Sequence, residues 1–141
     1  MDWKLIFQLS LFGLAMALGT VFLIPQNIEP VFWLVIFLFC AYTIAKRRTT
    51  GRFVHGVLLG LVNSVWITSA HILFFDRYVA GHAQEAAMMK SMPMPDSPRL
   101  MMALTGAVVG LVSGVLIGLV ALAAGKLIKQ RPLAPTIKTA A

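Results

Sequence analysis

The sequence predicts an all-α integral membrane protein, a bundle of four transmembrane helices with both termini in the cytoplasm. Three observations carry that prediction. Of the 141 residues, 59% are apolar and only 12% charged, whereas a soluble domain carries about 25% charged residues; the mean hydropathy is +0.85. The apolar residues gather into four runs, at about 5–24, 31–45, 53–75 and 100–125, each close to the length that crosses a hydrocarbon core. The basic residues are unevenly divided between the segments that join those runs, which sets the orientation.

Leu5 to Ile24 is twenty residues long, with Gln8, Ser10 and Thr20 as its polar members. Ala15-Met16-Ala17 has the small-x-small form of a signal-peptide cleavage site. The apolar stretch continues well past it, however, and a single Lys4 offset by Asp2 makes a poor basic leader, so the run is expected to stay as a span. Pro25 and Pro30 bracket a polar turn, and Pro30 suits the first turn of the helix that follows. Val31 to Ala45 is short, which predicts Trp33 and Tyr42 near the interfaces and Lys46 snorkelling outward. A short basic turn to Arg52 leads to the third run.

Between the third and fourth runs lies the one sizeable polar link, Asp76 to Arg99. Its first part, Asp76 to Met92, is free of proline and rich in Ala, Met, Gln and Glu, which predicts a short helix facing outward. Pro93, Pro95 and Pro98 then end it. Residues 1–130 are read as one transmembrane domain and 131–141 as a disordered cytoplasmic tail, because Pro132 and Pro135 stand there without apolar periodicity. Orientation follows from counting. Lys4, Lys46, Arg47, Arg48, Arg52, Lys126, Lys129, Arg131 and Lys138 fall on one side, nine of the twelve basic residues; Arg77, Lys90 and Arg99 fall on the other. The nine mark the cytoplasmic side. The net charge of +7 therefore reports membrane orientation, and no nucleic-acid partner is expected. Cys40 is the single cysteine, so no internal disulfide can form.

The helix surfaces carry a packing pattern. Gly106, Gly110, Gly114 and Gly118 recur every four residues, which on a helix makes a continuous groove that lets backbones approach. Gly56, Gly60, Ser64 and Thr68 form a matching stripe on the third run, and the two are expected to pack together within one chain in preference to a contact between copies. Asn63 and His71 are polar groups inside the third run, with His55 near its start. Interior hydrogen bonding is the expectation for Asn63, and interfacial placement for both histidines. No Asp or Glu lies within any of the four runs, which weighs against a carboxylate relay for protons or ions.

Met88, Met89, Met92 and Met94 crowd the outward link, and thioethers with the imidazole of His82 are a ligand set for Cu(I). Methionine equally fills irregular apolar surfaces without binding anything, and that reading is preferred. Asp76, His82 and Glu85 match no spacing for a harder metal. There is no phosphate-binding loop, no HExxH and no nucleophile triad that the topology brings to one depth. Neither an enzyme nor a cofactor is expected.

The order of features resembles a family of small bacterial membrane proteins known as a domain of unknown function. It has two opening spans, a short basic turn and a third span that opens Arg52-Phe53-Val54-His55-Gly56-Val57-Leu58-Leu59-Gly60. A Met-containing helical link from Asp76-Arg77-Tyr78 to Met94 and a Gly-rich last span complete the likeness. The resemblance implies a bacterial cytoplasmic membrane and this topology, and it carries no functional residues. The expected function is a non-catalytic scaffold or accessory subunit, embedded in the lipid bilayer and packing through its Gly-rich helices, with a second copy or another membrane protein as partner. A small oligomeric transporter or channel, or a Cu(I)-handling protein built on the Met-rich link, is the alternative.

Overall fold

Each apolar run forms a helix, and the chemistry at its ends decides where the helix stops. The computed structural model describes residues 1–128. Among these, six helices and no strand are formed: α1 (Trp3–Phe22), α2 (Glu29–Arg47), α3 (Arg52–Leu73), α4 (Phe75–Gly81), α5 (Ala83–Lys90) and α6 (Pro98–Leu127). Helices α1, α2, α3 and α6 are long and apolar enough to cross a membrane. The tail expected over 131–141 lies outside the described residues.

Asp2 caps α1 by accepting the Leu5 N–H at 3.0 Å, satisfying an amide that the first turn leaves open. At the other end the Leu23 and Ile24 amides both return to the Gly19 carbonyl, at 2.8 and 2.7 Å. The helix thus ends before Ile24, because the residue preceding Pro25 is pushed out of helical conformation. α2 runs beyond its apolar stretch at both ends. Pro30 sits in its first turn beside Glu29, and Lys46 and Arg47 sit in its last, each charge favourable to the helix dipole. Gly51, with φ of 68°, supplies the left-handed residue that turns the chain into α3.

One expectation needs correction. The link 76–92 is not one short helix: α4 and α5 are separated at His82, whose backbone leaves helical geometry at φ −127° and ψ 67°. The cause is burial. His82 is only 1% exposed, and its Nδ1 donates to the Tyr78 carbonyl at 2.9 Å, so the chain breaks to turn this side chain inward. α3 likewise ends at Leu73, with Phe74 as the joint before α4.

α3 is the centre of the bundle. It packs most extensively on α6 and next on α1, while α2 packs on α6 and touches α1 and α3 only lightly. The α3–α6 seam is formed by the two glycine stripes in one antiparallel register. Gly56 meets Gly118, Gly60 meets Gly114, Ser64 lies over Gly110 and Thr68 over Gly106. A Cβ on Gly114 would stand 2.6 Å from the Val57 carbonyl oxygen and 2.8 Å from its Cα, so backbone packs directly on backbone. Gly13 of α1 likewise makes room for the side chain of Asn63.

At the end of the bundle that carries Lys4, Arg48 and Arg52, all four long helices close on one another. Leu5, Leu9, Cys40, Ala41, Ile44, Leu59, Ile117 and Ala121 form a continuous buried cluster there. His55 seals it: Nδ1 donates to the Gly51 carbonyl at 2.8 Å and Nε2 accepts the Asp2 N–H at 3.1 Å. His55 is 2% exposed, buried by the protein itself in the first turn of α3.

Candidate ligand cavity

Away from that closed end the bundle opens. α2 meets α6 through Cys40, Ala41 and Ile44, but its first half stands off from α3 and α6, and a cavity of about 810 Å³ lies between them. Its floor is made of Gly60, Ser64, Gly106 and Gly110, so the same small residues that let α3 and α6 approach leave their outer edge without side chains to fill the space. Trp33, Leu34 and Phe37 of α2 form one wall, and Thr105, Val109 and Ser113 of α6 form the other. The volume is that of a small-molecule site, for which about 300–1,000 Å³ is usual.

The mouth is polar. Gln26 and Glu29 come from the start of α2, and Gln84 and Glu85 from α5. Glu29 accepts from Trp33 Nε1 at 3.0 Å, one helical turn on. Gln26 and Gln84 are joined at 3.4 Å, closing α5 toward the α1–α2 turn. Behind the mouth stands a column of three stacked rings. His71 lies on Tyr78 with centroids 3.8 Å apart, and Tyr78 lies on His82 at 4.2 Å. The column is tied down at each level. His71 Nε2 donates to the Thr20 hydroxyl at 3.0 Å, and that hydroxyl donates to the Ala17 carbonyl. The Tyr78 hydroxyl donates to Glu85. His82 Nε2 faces a Glu29 carboxylate oxygen at 3.4 Å. Burial, and then the hydrogen bond and charge of Glu85, push the Tyr78 phenol well above its ordinary value, so it remains a donor to that carboxylate.

The predicted residues distribute as follows. Gly60, Ser64, Gly106 and Gly110 serve both seam and cavity floor, while Gly56, Gly114 and Gly118 belong to the seam. His71, in the last turn of α3, is 7% exposed and hydrogen-bonded inside the protein. The expectation for Asn63 is corrected. It is 4% exposed, lies on the cavity lining and packs over Gly13, yet both amide atoms lack a hydrogen-bond partner among the described residues. It ties no helices together. Met88, Met89 and Met92 line the cavity with Met102, whereas Met94 does not. His82 faces Glu29 rather than these sulfurs. No group of three or more His, Cys, Asp or Glu is placed to hold a metal ion among the described residues.

Sequence reasoning missed Glu29, Trp33, Tyr78 and Glu85 as site residues. Two signals were present. Glu29 and Trp33 stand one turn apart at the start of a span, and His71 and Tyr78 are seven residues apart, on one face if the chain stays nearly helical between them. What hid the site was the turn at His82, which brings Glu85 back over Tyr78. No family model, curated protein or solved structure matches this chain.

Proposed function

We propose that this chain is a non-catalytic integral membrane protein that presents a blind, outward-facing ligand cavity, serving as the binding component or accessory subunit of a membrane assembly. In this reading it crosses a bacterial cytoplasmic membrane four times with both termini inside. The order of sequence features supports the bacterial assignment, and the nine-to-three division of Lys and Arg supports the orientation. The cavity then opens on the outer side, since Gln26, Gln84 and Glu85 belong to the links that carry few basic residues.

One observation carries the choice of a binding role over a conduit: the cavity ends in packed protein. Beyond Gly60 and Ser113 the helices close through Leu59, Ile117, Ala121 and Ile44, all buried and apolar. The seam uses both glycine stripes within one chain. This leaves the exposed apolar faces of α2 and α6, including Val31, Val35, Leu38, Leu104, Val108 and Val112, for lipid or a partner helix.

Cysteine labelling in intact cells tests the topology, in a background with Cys40→Ala. Gln26→Cys and Gln84→Cys are expected to react with a membrane-impermeant thiol reagent and Thr49→Cys to be protected. Labelling of Thr49→Cys with protection of Gln84→Cys would invert the cavity and remove the outward-binding role.

A further inference from the structure

The chemistry of the lining selects a class of ligand. Among the cavity-lining residues two are carboxylates, Glu29 and Glu85, and none is Lys or Arg. Glu29 sits in the first turn of α2, at the positive end of the helix dipole. Glu85 accepts a hydrogen bond from the Tyr78 hydroxyl. Of the three basic residues of that end, the Arg77 guanidinium lies 5.7 Å from the Phe22 ring centroid and that of Arg99 lies 5.3 Å from the Phe75 centroid, and Lys90, the last residue of α5, is not part of the lining. His71 and His82 are committed to Thr20 and to the Tyr78 carbonyl. No Lys or Arg side chain lines the mouth to pair with Glu29 and Glu85, and His82 Nε2 stands 3.4 Å from a Glu29 carboxylate oxygen.

Below the carboxylates the walls are apolar and polarizable. Trp33 and Phe37 offer ring faces, and Met88, Met89, Met92 and Met102 offer thioethers. Aromatic faces beside carboxylates attract a weakly hydrated cation far better than a strongly hydrated one, because the cation keeps little water to lose. The volume of about 810 Å³ exceeds what a bare metal ion requires and suits an organic molecule.

We infer that the cavity binds a lipophilic organic cation, such as an amphiphilic amine or a quaternary onium compound, with its charge between Glu29 and Glu85 and its apolar body against Trp33, Phe37 and the methionines. This rests on the reading of the cavity as an outward-facing binding site and adds the ligand class.

Equilibrium dialysis of the purified full-length protein in a non-ionic detergent tests it, with tetraphenylphosphonium as the cation and triphenylphosphine oxide as a neutral compound of similar shape. The expected result is saturable uptake of one cation per chain and weaker uptake of the neutral compound. Glu85→Gln, at a half-exposed position, should weaken cation binding about tenfold, and Glu29→Gln by a similar factor. Val109→Trp fills the cavity from an exposed position and should abolish it. Thermal unfolding of each variant identifies any loss caused by misfolding, and Glu85→Gln, being outside the packed helices, keeps the test decisive if Glu29→Gln does not fold. Equal binding of cation and neutral compound, or cation binding unchanged in Glu85→Gln and Glu29→Gln, overturns the ligand class while leaving a binding cavity. Absence of saturable uptake of both compounds overturns the cavity reading as well.

Discussion

Gly60→Leu is expected to separate α3 from α6 and to be among the most damaging single substitutions in the chain. A Cβ at this position would meet the backbone of Gly114 and the carbonyl oxygen of Gly110. Neither can rotate aside, since both are main chain in the facing helix. Overpacking a well-packed interior usually costs about 1–3 kcal/mol, and a clash of backbone with backbone belongs at or above the top of that range. Gly60→Ala should already lower stability, although alanine is the better helix former by about 1 kcal/mol. Two positions give the contrast. Gly81 has nothing within 4 Å of a Cβ, and at Gly125 the nearest atoms to a Cβ belong to the Arg52 side chain and not to a facing backbone. Gly81→Ala and Gly125→Ala should therefore unfold at nearly the wild-type temperature in detergent. Equal melting temperatures for Gly60→Leu, Gly81→Ala and Gly125→Ala would show that the seam is not a packing surface.

Tyr78→Ala is the second large effect. Tyr78 is 3% exposed and is the middle ring of the column, so its loss leaves His71 and His82 without a shared face and Glu85 without its donor. Truncating a buried aromatic costs about 3–5 kcal/mol. Tyr78→Phe keeps the ring and removes only the hydrogen bond to a carboxylate, a loss of about 1.5–3 kcal/mol. The damage should be local, read as rapid proteolysis between Phe74 and Met92 in the alanine variant. Because the folded protein holds the phenol above its ordinary value of 10.0, its contribution is present below that pH and is lost as pH rises beyond it. Wild type should thus lose stability above about pH 10 more steeply than Tyr78→Phe. Parallel alkaline profiles would mean that Tyr78 is not held protonated by its surroundings.

The frame of this protein was legible in its sequence because a lipid-sized apolar run has few alternatives to a helix. The pairing of α3 with α6 could also be read, since both carry small residues at the same four-residue step. Helix ends were less legible. Apolar runs mark where side chains meet lipid or core, whereas the backbone stops for other reasons: Pro25 ends α1 early, and α2 continues through Lys46 and Arg47 because nothing there breaks it. The cavity was hidden for a further reason. It depends on α2 standing off from α3, and no periodicity in either helix records the distance between them. It also depends on His82 turning inward, a choice made by Tyr78, Glu29 and Glu85 together. Asn63 looked like a residue that joins helices; its lack of a partner became visible only with Gly13 packed beneath it.

The central claim, a cavity open at one end and blind at the other, can be measured by a cysteine scan along its length in a Cys40→Ala background. Gln84→Cys, Thr105→Cys and Ser113→Cys run inward from the mouth, and Ile117→Cys and Ala121→Cys continue into the buried cluster. With a membrane-impermeant thiol reagent applied outside intact cells, the first three should react, Ser113→Cys most slowly, and the last two should not react from either side of the membrane. Labelling of Ile117→Cys or Ala121→Cys from outside would reveal a continuous path and contradict the blind cavity. Protection of Thr105→Cys and Ser113→Cys would contradict the cavity itself.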